Sequence, residues 1–112
     1  ARRIKRAVLV DVSSVRFSDG EKRATNLGAF REYIEAHLRL DPRIHKELAL
    51  LVRELDPTPN GLPVEVYCFS TAIDSTAYEA LSAEIVDHVI AVAPEFGLRI
   101  FQTVSGADVA RG

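Results

Sequence analysis

Apolar positions along this chain recur in two rhythms, and the changes between them lay out the elements. Arg3–Val12 has an unbroken apolar centre, Ala7-Val8-Leu9-Val10, as expected of an inner strand covered on both faces. Ser13–Phe17 reads as its continuation past a bend, and Ser18–Arg23 as a polar loop. From a cap at Thr25 or Asn26 the spacing becomes three and four. Leu27, Phe30, Ile34 and Leu38 then share one helical stripe, with Arg31, Glu32, Glu35 and Arg39 outside it. Asp41-Pro42 stops that helix, because a residue before proline disfavours the helical region, and Arg43–Lys46 connects onward.

Leu48–Leu55 fits helix or strand by periodicity alone. It reads as a strand because Val64–Phe69, rich in β-formers, otherwise lacks a close partner. Asp56-Pro57-Thr58-Pro59-Asn60-Gly61 supplies the turn chemistry of a hairpin between the two. From Ser75 the helical rhythm returns, with Tyr78, Leu81, Ile85, Val89 and Val92 on one stripe. Pro94 ends this helix, Gly97 lets the chain reverse, and Leu98–Val104 is extended again.

The order is βαββαβ. Right-handed crossovers place both helices on one face of a four-stranded antiparallel sheet, so the expected class is α+β, a ferredoxin-like sandwich formed by residues 1–112 as a single domain. The second helix carries more apolar surface than one sheet requires. Val86, Ile90 and Ala93 lie on a track beside the main stripe, leaving Glu79, Glu84, Asp87 and His88 for solvent. Either the wide stripe fits between sheet and first helix, or Val86, Ile90 and Ala93 face another subunit.

Composition narrows the function more than the fold. Among 112 residues, 47% are hydrophobic and 27% charged, with a formal net charge of −2, so no fold-wide attraction to nucleic acid or anionic lipid is expected. The single cysteine, Cys68, sits in a strand beside Phe69 and reads as a small buried side chain in a reducing compartment. No apolar run reaches the roughly 18–20 residues of a membrane helix, and Arg2, Arg3, Lys5 and Arg6 precede too short an apolar run for a signal peptide. The sequence has no methionine, so it is expected to be cut from a longer protein or to have lost its start by processing.

Candidate chemistry is sparse. His37, His45 and His88 fall in a helix, a connector and a helix without metal-ligand spacing, and each reads as a surface histidine. Glu54 and Glu65 fit cross-strand neighbours on a solvated sheet face. Ser105-Gly106-Ala107-Asp108 lacks the lysine and the following helix of a phosphate loop. Tyr67 and Phe69 lack the glycines of an RNA-recognition strand. The expectation is a protein that is not an enzyme, with no cofactor, no metal and no nucleic-acid partner. The topology also allows a ligand-binding regulatory domain of ACT type.

Several blocks, in order, resemble the mechanosensitive ion channel (MscS) family, in its miniconductance, YbdG-like branch. They are Arg2–Arg6 with Asp11–Phe17, Thr25–Arg31 with Tyr33, Leu51–Leu55, Gly61–Tyr67, Tyr78-Glu79, Asp87-His88, Pro94–Gln102 and Ser105–Asp108. The resemblance implies the carboxy-terminal cytoplasmic α/β domain of such a channel. There, seven copies form a vestibule crossed by permeating ions, on the cytoplasmic side of the bacterial inner membrane, and the membrane is touched only by other parts of the protein. It implies a pore that opens under membrane tension during osmotic downshock. The chain departs from the family in a short Phe17–Arg23 segment, in lacking the usual tryptophan near Thr76, and in having Val86 where phenylalanine is usual.

Overall fold

Two side-chain caps fix where the helices begin. The Thr25 hydroxyl accepts from the Gly28 amide at 3.0 Å, starting α1 (Asn26–Arg39), and the Asp74 carboxylate accepts from the Ala77 amide at 2.9 Å, starting α2 (Ser75–Val92). The computed structural model describes residues 1–18 and 20–101. Around the helices lie β1 (Arg2–Val10), β2 (Leu51–Glu54) and β3 (Leu62–Ser70), and short 3₁₀ turns at Val12–Ser14 and Ala93–Phe96.

The strands form an antiparallel sheet in the order β1-β3-β2. Register places Ile4 opposite Cys68, Val8 opposite Val64, Val10 opposite Leu62 and Val52 opposite Val66. Partners across a sheet share a face, so these residues make one apolar surface. The buried stripes of both helices join it in a single core: Leu27, Phe30, Ile34 and Leu38 from α1, Leu81, Ile85, Val89 and Val92 from α2. Both predicted stripes are therefore core, with Tyr78 half-buried at the edge.

The four-strand expectation is met in part. Three strands form among the described residues. Ile100 makes only an isolated antiparallel bridge to Val10, flanked by Asp11 N–H to Arg99 O at 2.8 Å and Phe101 N–H to Leu9 O at 2.6 Å. Residues 102–104 of the expected fourth strand lie outside the described residues. The reading of β1 as covered on both faces is corrected. With the helices on one face only, Arg3, Lys5 and Ala7 on the other are exposed, and β3 takes the centre.

Ser13–Phe17 does not extend β1. Asp11 accepts from the Ser13 amide and hydroxyl at 2.9 and 2.8 Å, which turns the chain into a 3₁₀ turn instead. Within Leu48–Leu55 only Leu51–Glu54 is regular strand; upstream, Ile44 bridges Ser70 and the His45 amide donates to Phe69 O at 2.8 Å. The hairpin turn closes as Thr58 and Gly61 exchange backbone hydrogen bonds. Gly61 has φ of +133°, and a Cβ there would sit 3.2 Å from the Val10 carbonyl oxygen, so glycine is required.

The basic amino-terminal run divides between the two faces. Arg2 lies 4.0 Å over the Tyr78 ring and bonds Ser75, and Arg6 bonds Ser82 at 3.0 Å, tying β1 to α2. Cys68 is fully buried, and burial, aided by the Asp41 charge, pushes its thiol up to about 11.

Candidate functional site between the helices

The two helices run antiparallel across the sheet, with Tyr33 near Phe96, His37 near His88, and the loop after α1 near Glu84. Between them lies a groove of about 270 Å³. Its floor is the buried Ile34, Leu38, Ile85 and Val89.

One end is closed by charge. Asp41, just past the end of α1, accepts from Arg43 through both carboxylate oxygens, at 3.1 Å from Nε and 2.9 Å from Nη2. Glu84 of α2 accepts from Arg43 Nη1 and Nη2, each at 3.1 Å. The two-sided fork of a guanidinium suits this double pairing, which links the loop to α2. These hydrogen bonds hold the Asp41 carboxyl below the usual carboxylate range and raise Arg43 further above its own. An arginine with its fork occupied by two carboxylates has little left to offer an anionic ligand.

The other end is aromatic. The His37 and His88 rings stack with centroids 4.0 Å apart and planes 13° from parallel. Tyr33 lies against both, 6.2 Å from His37 and 5.8 Å from His88. Nε2 of His88 is buried without a hydrogen-bond partner. Burial, and then the neighbouring His37, lower the pKa of His88, against a smaller opposing effect of Glu95. The three histidines thus have different surroundings. Only His45 stands apart, its Nδ1 accepting from the Glu47 amide at 3.2 Å.

In the sequence His37 and His88 read as unrelated surface histidines. The available signal was that each directly precedes a stripe residue, Leu38 and Val89, which puts both at the border of a packed face. Glu65 also differs from its expected place. It lies opposite Arg53, not Glu54, is 4% exposed, and is paired with Arg53 at 2.7 Å. Glu54 instead meets Arg31 at 3.3 Å.

The candidate interface residues fall in three environments. Ala93 is fully buried in the core and offers nothing to a neighbour, Val86 is half-buried, and Ile90 is 43% exposed. Among the described residues no three histidine, cysteine or acidic side chains are grouped to hold a metal, and no helix is long and apolar enough to cross a membrane.

No family model matches the chain. Among solved structures, it is similar to the cryo-EM structure of Arabidopsis thaliana MSL1, with a TM-score of 0.72 at 11% identity over 91% of this chain. The A320V form of the same protein gives 0.71, also at 11% identity and 91% coverage. At such identity the likeness is one of fold. The chain spans about a third of the length of those proteins, 34% and 35%.

Proposed function

We propose that this chain is the cytoplasmic vestibule and assembly domain of a small or miniconductance mechanosensitive channel, one that opens under membrane tension during osmotic downshock. The observation that carries this reading is the shared fold over nearly the whole chain with MSL1, a mechanosensitive channel of the MscS family. The ordered sequence blocks from Arg2 to Asp108 support it independently. The neighbours come from a plant, so a bacterial inner-membrane location rests on those blocks alone.

On this reading the domain works without catalysis. It associates with copies of itself, seven in the full channel, and shapes the path of permeating ions. Partly exposed Ile90 and Val86 on α2 supply apolar surface for that association. The test is the coding sequence upstream of Ala1. Membrane-spanning helices followed by a β-rich domain are expected, and an upstream frame without membrane helices overturns the reading.

A ligand-binding regulatory domain of ACT type is the second reading, and the interhelical groove is the observation that bears on it. Its volume of about 270 Å³ falls below the roughly 300–1,000 Å³ of small-molecule pockets. A thermal-shift screen of metabolites decides, since a ligand that binds only the folded state raises its stability.

A further inference from the structure

We propose that His37 and His88 form a pH-responsive contact between α1 and α2, holding the rims of the two helices together while at least one ring is neutral and parting them when both are charged. The proposal rests on the geometry of the pair and is independent of the channel reading. Centroids 4.0 Å apart with planes 13° from parallel put the two imidazole faces in van der Waals contact. The same distance puts two imidazolium charges face to face, where like charges repel most strongly. His88 has no way to offset that repulsion with its buried Nε2, which lacks an acceptor.

Every charged group around the pair bears on the outcome. On α1, Tyr33 offers its ring to one imidazolium. In the loop after α1, Asp41 is engaged with Arg43, and on α2 so is Glu84; neither is free to pair with a histidine unless that clamp opens. Asp87 on α2 lines the same groove, and Glu95 in the following 3₁₀ turn favours a charged His88. Two positive rings would face each other across 4.0 Å, and that repulsion is what parts the helix rims.

The direction follows from linkage. His88 is held below the ordinary histidine value of about 6.5 in the folded chain, so around that pH the unfolded chain binds the proton more readily. Stability from the neutral ring is complete above about pH 7 and falls as pH drops through 6.5 toward the folded value.

The test is an NMR titration of the imidazole resonances from pH 8 to 4.5 in the 112-residue chain, in H37Q and in H88Q. It is combined with amide hydrogen exchange, corrected for the intrinsic rate. His37 is solvent-exposed, so H37Q is expected to fold. In the unaltered chain His88 should titrate below the ordinary range, and protection at Ile34, Leu38, Ile85 and Val89 should fall at least about ten-fold between pH 7 and 5. In H37Q, His88 should titrate higher and the loss of protection should shrink. Independent titration of both rings near 6.5, or the same pH-dependent loss of protection in H37Q as in the unaltered chain, overturns the proposal. The titration of the unaltered chain alone decides the first point even if both variants misfold.

Discussion

The side-chain amide of Asn26 donates to the main-chain carbonyl of Phe96 at 3.0 Å, joining positions 70 residues apart. The same amide donates to Ser14 O at 3.0 Å, and its oxygen accepts from the Arg16 amide at 2.9 Å. One buried residue at the first turn of α1 therefore satisfies backbone groups from the loop after β1 and from the turn after α2. Neither irregular segment has a ladder of its own, so Asn26 completes the hydrogen bonding of both.

Replacing Asn26 with alanine should cost about 2–4 kcal/mol, since three hydrogen bonds go and buried backbone groups are left unpaired. Asn26→Asp should be at least as damaging. It keeps the acceptor but loses both donors and faces two carbonyl oxygens with a carboxylate. Urea denaturation of the two variants checks this. A loss under about 0.5 kcal/mol for Asn26→Ala would show that water replaces the amide freely.

The buried pairing of Glu65 with Arg53 makes a second prediction. Glu65 is 4% exposed on the sheet face away from the helices, and Arg53 reaches it at 2.7 Å while lying 5.4 Å over the Tyr67 ring. Arg53→Ala strands a buried carboxylate and should destabilise by about 1–3 kcal/mol, less than for a fully buried pair because Arg53 itself is half exposed. Adding Glu65→Gln to Arg53→Ala should restore part of the loss. A double-mutant cycle with no coupling would mean that solvent already screens the pair.

The helix stripes were legible in the sequence because burial imposes a period on apolar residues, and that period survives any error about neighbouring elements. Leu27, Phe30, Ile34 and Leu38, and Leu81, Ile85, Val89 and Val92, are buried as read. Sheet order is not local information. The apolar run Ala7–Val10 suggested cover on both faces, but Ala7 is exposed because neither helix crosses to that side. Polar residues were misread for a related reason. Glu65 and His88 are each held by a partner across the sheet or the groove, and a sequence shows such residues only as surface-like. The track of Val86, Ile90 and Ala93 was visible as surplus apolar surface, but its division between core and exterior depended on how α2 rolls onto the sheet.

Acid should weaken the fold through Asp41. Hydrogen bonds from Arg43 hold this carboxyl below the usual carboxylate range. The unfolded chain thus takes up the proton first, so the stabilisation is whole above about pH 4 and is lost as pH falls through the lower, folded value. Asp41→Asn should flatten the acid limb of a stability–pH curve below pH 4 and leave the slope near pH 6 unchanged, because that window belongs to histidine. An identical acid limb in Asp41→Asn would assign the effect to other carboxylates, Asp11 with its Ser13 hydrogen bonds foremost.

The surplus apolar track on α2 separates folding from association. Ile85 is 6% exposed in the core and Ile90 is 43% exposed about 1.4 turns later. Ile85→Asp buries an unpaired carboxylate and should cost more than about 4 kcal/mol, enough to unfold a domain of ordinary stability. Ile90→Asp should change the stability of the isolated chain by less than about 1 kcal/mol. Val86→Asp, at a half-buried position, should fall between them. If this track meets a neighbouring subunit, Ile90→Asp should also lower self-association by at least about ten-fold in sedimentation equilibrium at matched protein concentration, and Glu79→Ala on the polar side should not. Equal unfolding by Ile85→Asp and Ile90→Asp would place the whole helix face inside. A stable Ile90→Asp that associates as before would move the subunit contact to another surface, leaving Ile90 as an ordinary exposed apolar residue.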